Sequence, residues 1–542
     1  MTKPRIQLNR RSVIKGMTAG AAMPFVMWPS SRALGGSAKH GGTLTTVAWP
    51  GTTYMNSAIT TSGPEAFLSP KMFDGLLGYD FGMQGKPALA TSWNISEDGL
   101  RVTFNLRPNV KWHDGQPFTA RDVAFTFMEV IKVHHGRGRT LFADLLDVET
   151  PDDLTAVFVL NRPAPAIMKA LDGRESPILP SHLYAGTDIM ENPHNIDPVG
   201  TGAFKFVSHE RGVSVVMERN PDYWDGDLPY LDRIIVQYIS DPSTRTAMLE
   251  AGQADVVFLN FLPALDTLRL AEKPEFAIDL KGYETSVSQQ QMDFNLERPL
   301  LQDPRVRHAI AHAIDRAWIV KNVWHGFGEP GATPLHHEQV SFYNTDGVPG
   351  YAFDPGKAEA LLDEAGHPRG ANGMRFELTI DPTPYGNESV IAAEYMREQM
   401  RQIGIDLKIR TQDYAVFIKR VWTDRDFDLS LYTAAMGADP TIGVQRFYWS
   451  KNFKPGVAFS NGSSYSNPKV DALLEASQVE LDLATRQQQF HEFQKIAMTE
   501  LPTLPIVSTT RATIAHRKVK DHTVDALGSL GNLAHCWLDE NA

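Results

Sequence analysis

The chain has 542 residues and a formal net charge of −12. Its 42% hydrophobic content, with 41 glycines besides, is that of a globular protein and excludes disorder along most of its length; the length predicts three to five compact units. The acidic balance argues against nucleic acid, which needs concentrated Lys and Arg, and the single cysteine, Cys536, excludes an intramolecular disulfide and any multi-cysteine metal site.

Residues 1–38 run against the general charge, with Lys3, Arg5, Arg10, Arg11, Lys15 and Arg32 and no acid, so the remainder stands at −18. Asn9-Arg10-Arg11-Ser12-Val13-Ile14-Lys15 resembles a twin-arginine export motif. The mildly apolar run Gly16 to Trp28 that follows is shorter than the ~20 residues of a membrane span. Small-residue cleavage sites end at Ala33 and Ala38, without a cysteine that a lipid could occupy. Export of a soluble mature protein, periplasmic after cleavage, is the expectation.

Farther along, Leu100, Val102, Phe104 and Leu106 alternate with polar residues, which predicts a half-buried strand; Arg233 to Ile239 predicts a more buried one. Thr119 with Asp122 predicts a capping box. Asp303-Pro304 precedes Val306, Ile310, Ala313, Ile314 and Ala317 at helical spacing. Asp354-Pro355 opens a helix that Gly366 closes, and Asn467-Pro468 opens another. At 374–411 a strand (Phe376, Leu378, Ile380), a helix (Glu388 to Gln402) and a strand (Ile405, Leu407, Ile409) predict a βαβ unit with parallel strands. A strand at Phe427 to Tyr432 is expected to join the same sheet. Loops 381–387 and 433–443 would leave its strand ends, where open α/β sheets bind ligands.

Catalytic signatures are missing. There is no GxSxG nucleophile elbow and no GxxxxGK[ST] phosphate loop. His113-Asp114-Gly115 reads as a turn rather than a catalytic pair. Adjacent histidines, as in His134-His135 and His336-His337, rarely present both rings to one metal ion. Gly136 and Gly138 lack the strand–loop–helix context of a phosphate site. No cofactor or metal is expected.

Gly41-Gly42-Thr43-Leu44, Ala88 to Leu106, Arg107 to Val123, Pro198 to Gly202, Arg219 to Trp224, Asp303 to Asp315, the Asp354-Pro355 helix, Ile403 to Ile405 and Ser464 to Leu474 form an ordered series of motifs. Together they resemble the bacterial extracellular solute-binding proteins of family 5, the peptide, nickel and opine receptors of ABC importers. The resemblance covers about Gly41 to Val507. It implies an α/β, periplasmic-binding-protein fold of type II: two lobes, an extra domain on lobe one, and a ligand cleft between the lobes. Lobe one would comprise 39–75, 200–288 and 508–542; the extra domain 76–199; lobe two 289–507. The chain would cross between lobes near Gln289–Asp293 and Ile506–Thr509.

The family's ligand loops map onto Trp49, Tyr54 and Asn56 after the opening strand, Gln289 and Gln291 at the crossing, Tyr385, and Tyr432, Met436 and Asp439. Trp422, Arg446 and Trp449 are further candidates. Aromatic faces and amides suit a polar organic solute. The peptide-binding branch pairs the peptide amino group with an acid early in the fourth loop; the matching position here is Met436, with Asp439 three residues later. It uses an arginine near the third loop for the carboxylate; here that stretch is Thr383-Pro384-Tyr385. A standard dipeptide is therefore not the expected ligand, and a modified or longer peptide, an opine-like compound or a sugar conjugate fits as well. The implied partners are that small-molecule solute and an inner-membrane permease with cytoplasmic ATPases; a monomer is expected. An exported α/β hydrolase, or a periplasmic chaperone or sensory receptor on the same fold, is the alternative.

Overall fold

The computed structural model describes residues 38–384 and 387–540, so the export segment and Tyr385 lie outside the described residues. Residues 39–542 form one compact unit. Three sheets organise it. A seven-stranded sheet runs, edge to edge, through Phe276–Asp279, Thr513–His516, Val256–Val257, Thr43–Ala48, Arg233–Tyr238, Ser214–Arg219 and Phe204–Glu210. A six-stranded sheet runs through Gly328–Pro330, Thr503–Thr509, Ser288–Phe294, Leu429–Ala435, Phe376–Pro382 and Ile405–Ile409. Four antiparallel strands between Ala90 and Leu160 make the third.

Local chemistry places the elements. Strand Arg101–Leu106 buries Val102, Phe104 and Leu106 and exposes Arg101 and Asn105; each large apolar side chain so buried contributes about 1.5–3 kcal/mol. Arg233–Tyr238 pairs in parallel with Thr43–Ala48. The capping box of Thr119 and Asp122 is formed at the helix Ala120–Phe125. Asp354 accepts from the Lys357 amide at 2.9 Å, and Asn467 from those of Lys469 and Val470. Gly366, at φ +86°, follows the end of the first of these helices. The βαβ unit is present, with Phe376–Pro382 parallel to Ile405–Ile409 around helix Glu388–Gln402. Leu429–Ala435 joins the same sheet in parallel with Phe376–Pro382.

Two expectations change. The helix after Asp303 stops at His312, and a new one, Arg316–Asn322, starts where the Asp315 side chain accepts the Trp318 amide at 3.0 Å. An aspartate offering its carboxylate to the backbone competes with helix continuation, while Ala313 and Ile314 stay buried and preserve the periodicity. The crossings expected at Gln289–Asp293 and Ile506–Thr509 lie inside strands that pair with each other from Ser288↔Thr509 to Asp293↔Thr503. A hydrogen-bonded rung resists bending. The chain instead passes between the two large sheets through 280–287 and 510–512.

Candidate functional site

The loop beyond Leu429–Ala435 shapes one wall of a cleft. Gly437 takes φ +66°, and a Cβ on Gly443 would lie 1.8 Å from the Met436 carbonyl oxygen, so the chain doubles back on itself only because Gly443 has no side chain. Asp439 accepts the Thr441 amide at 2.9 Å and caps the short helix Pro440–Gly443. Arg446, in the next turn, pins the loop by donating Nε to the Gly443 carbonyl (3.1 Å) and Nη2 to the Ala435 carbonyl (3.0 Å).

This wall faces residues 136–144 and 162–175. Between them lie two chambers that share Arg137, Ile442 and Arg446. The outer one, of about 440 Å³, has Leu141, Ile442, Trp449 and Phe459 among its apolar lining and Gln445 and Asn452 among its polar lining. The inner one, of about 60 Å³, has the charged side chains of Lys169, Asp172, Arg174 and Glu175 opposite Ala435 and Gly443. Arg137 and Glu175 form a bidentate pair at 2.5 and 2.7 Å. Burial opposes ionisation of Glu175, but Arg137 prevails and holds its carboxyl down to about 2. Asp172 has no such partner; it accepts the amides of Arg174 and Glu175, and burial pushes its carboxyl up to about 6.

A hydrogen bond bridges the cleft rim: Arg162 donates to Gln478 at 3.1 Å while its Nε holds Asp144 at 2.7 Å. A hydrogen bond contributes about 1 kcal/mol net, or roughly fivefold in an equilibrium constant. Gln478→Ala should therefore raise the Kd of the solute that co-purifies with the protein about fivefold by calorimetry, without moving the unfolding midpoint of the ligand-free protein.

Of the residues nominated from sequence, Arg446 and Trp449 line the outer chamber. The Trp449 indole is held by Glu475 at 2.9 Å. Six others are interior to the wall that carries them: Gln289, Gln291, Trp422, Tyr432, Met436 and Asp439 are each 0–1% exposed. The Gln289 amide donates to the Thr333 carbonyl, Gln291 to the Tyr432 hydroxyl at 2.9 Å, and that hydroxyl to Asp293 at 2.7 Å. Trp422 packs edge-on against Tyr432. Asp439 is clamped by Arg486 at 2.7 and 2.8 Å; burial works against its charge, Arg486 outweighs it, and the carboxyl is held below the usual range. Asn56 is buried too, donating to Asn195 at 2.9 Å. Tyr54 packs half-buried against the core around the seven-stranded sheet, and Trp49 is 44% exposed. Tyr385 lies outside the described residues.

Among the chamber residues that sequence reasoning missed are Arg137, Arg162, Lys169, Arg174, Gln445 and Phe459. Arg137 sits in the His134–Arg139 stretch, whose glycines drew attention instead. The signature residues take structural places. His113 bonds the backbone of Gly200 and Gly202 within the Trp112–Gln116 turn. The Trp224 indole donates to Asp74 at 2.8 Å. His135 accepts the Gly138 amide, and His336 bonds the Thr509 carbonyl while its ring stacks on His337.

Comparison with known proteins agrees with this architecture. The model of the bacterial extracellular solute-binding proteins, family 5, matches residues 84–463. A Brucella ovis protein named as an ABC transporter peptide-binding protein is 30% identical over 83% of this chain and 84% of its own length. The dipeptide-binding protein of Escherichia coli is 27% identical over 82% and 84%. Among solved structures, the ABC transporter substrate-binding protein CtaP of Listeria monocytogenes superposes with a TM-score of 0.81 at 25% identity, covering 93% of this chain and all of that one. NikZ of Campylobacter jejuni, solved with Ni(L-His), gives 0.76 at 26% identity over 90% and 97%. The chain has the two-lobed fold of these proteins and belongs to the bacterial extracellular solute-binding proteins of family 5.

Proposed function

We propose that this protein is the exported receptor of an ABC importer, which captures a peptide-like or other polar organic solute by closing its lobes and delivers it to a membrane permease energised by cytoplasmic ATPases. The observation that carries this reading is the chamber of about 440 Å³ that lies between two separate walls of the fold, with mixed apolar and amide lining. Closure around a ligand needs no covalent chemistry; it needs a ligand that favours the closed state. The protein acts as a monomer and releases its ligand unchanged.

The ligand is not a simple dipeptide. The position matching the acid of the peptide-binding branch is Met436, which is buried, and the nearby Asp439 is committed to Arg486. An ammonium buried there would lack a counter-ion, at a cost of several kcal/mol.

Native mass spectrometry of protein purified from the exported fraction should reveal a bound solute, and small-angle scattering should show compaction when that solute is added back. Recovery of a chemically altered solute would instead favour the hydrolase reading. Tight calorimetric binding of dipeptides with free termini would remove the substrate restriction.

A further inference from the structure

The charges lining the two chambers do not balance. Asp144 is taken by Arg162 and Glu175 by Arg137. That leaves Lys169, Arg174 and Arg446 against Asp172, a local excess of two positive charges in a chain of net −12. Lys169 is turned to the Met83 carbonyl. Arg174 donates to the Thr285 carbonyl (3.1 Å) and, at 3.4 Å, to the Ser286 hydroxyl, but its Nε is buried without an acceptor, as is the Thr285 hydroxyl, which is 4% exposed. Arg446 spends Nε and Nη2 on two carbonyls and has no carboxylate partner. Burial, with Arg137 adding repulsion, pulls its guanidinium down to about 10. Guanidinium groups from both walls thus share a desolvated space with unused hydrogen-bonding capacity. An anion placed there would receive charge-assisted bonds and relieve the repulsion between them. Next to it, the larger chamber offers Leu141, Ile442, Trp449 and Phe459.

We infer that the cleft takes an organic oxyanion, with a carboxylate or phosphate head held between Arg174 and Arg446 in the inner chamber and an apolar body in the outer one. This inference rests on the receptor reading above and names the substrate class of that same site.

The test uses the full mature protein, freed of endogenous solute by unfolding and refolding, at constant ionic strength balanced with chloride. Hexanoate and hexyl phosphate are the two oxyanion arms; hexanamide and hexylammonium are the neutral and cationic controls. Calorimetry should show at least one oxyanion binding roughly tenfold or more tighter than either control, and the better arm identifies the head. Arg446→Gln should abolish that preference. If Arg446→Gln does not fold, because its guanidinium also holds the loop, Arg446→Lys keeps the charge without the fork and should lose a smaller part of it. Controls that bind as well as the oxyanions, an unchanged preference in a folded Arg446→Gln, or no oxyanion binding up to 10 mM would each overturn the inference. The two readings fail separately. A co-purified solute without an acid group that still compacts the protein would sink the oxyanion and spare the receptor. Oxyanion binding without compaction by any solute would do the reverse.

Discussion

Asp439→Asn is expected to destabilise the ligand-free protein by about 3–5 kcal/mol, because it leaves the Arg486 guanidinium buried without its counter-charge. The pair is enclosed: Asp439 is 0% and Arg486 5% exposed, and both Arg486 terminal nitrogens reach the carboxylate. Arg486 has further partners in the Ser477 carbonyl and the Thr441 hydroxyl, so it cannot swing out to solvent without breaking them. Replacing both partners, Asp439→Leu with Arg486→Met, should recover much of the loss. About 1 kcal/mol would stay missing, because the carboxylate also caps Pro440–Gly443. Urea unfolding of the two variants measures both values. A carboxylate reserved for a ligand's cationic group would behave oppositely: Asp439→Asn would leave the ligand-free midpoint in place and weaken only binding.

The second large effect is a pH-dependent one at Asp293. Burial raises this carboxyl to about 6, against the pull of the Tyr432 and Thr503 hydroxyls at 2.7 and 2.9 Å. A carboxyl whose folded value lies above its ordinary 3.8 holds its proton more tightly in the folded state. Its stabilisation is complete below pH 4 and is lost as pH rises through 6. Asp293→Asn removes that loss. The stability difference between Asn and Asp should therefore favour Asn more at pH 7 than at pH 4.5, by about 2 kcal/mol. The comparison of variants is the proper readout, because the whole-protein profile is a sum of opposed terms. Asp74 and Asp172 behave like Asp293. His113 and His135, pushed down to about 4 by burial, lose stability as pH falls below 6.5. If the difference between Asn and Asp is the same at both pH values, Asp293 ionises in its ordinary range.

What could be read from the sequence is what a few neighbouring residues decide. Asp354-Pro355 and Asn467-Pro468 cap helices through bonds that span two or three residues, and the alternation at 101–106 states which face is buried. The βαβ unit is legible because its three periodicities follow each other within one short stretch, separated only by brief loops. The site is a different matter. Asp439 and Arg486 are 47 residues apart, Arg137 and Glu175 are 38 apart, and nothing local says that they meet. Gln289 and Gln291 are candidates from the sequence because the family resemblance puts them at the crossing between lobes and amides can fix a ligand's orientation. The strand Ser288–Phe294 is buried at all seven positions, and its glutamines are satisfied by Thr333, Ser389 and Tyr432 from other elements. The crossing points were displaced by a few residues for a related reason: composition does not mark where a strand loses its partner. Arg446 and Trp449 were within reach because they lie just beyond the loop that leaves a strand the sequence does identify.

The pairing of Ser288 with Thr509 has a mechanical consequence. The chain leaves and re-enters the six-stranded sheet at the two ends of a single rung. Two covalent connections departing from one rung behave as a single pin: they let the attached bodies turn about it and resist sliding along it. The motion left to the lobes is then close to one angle. A scattering curve taken at partial saturation should decompose into just two end-point curves, with no third shape between them.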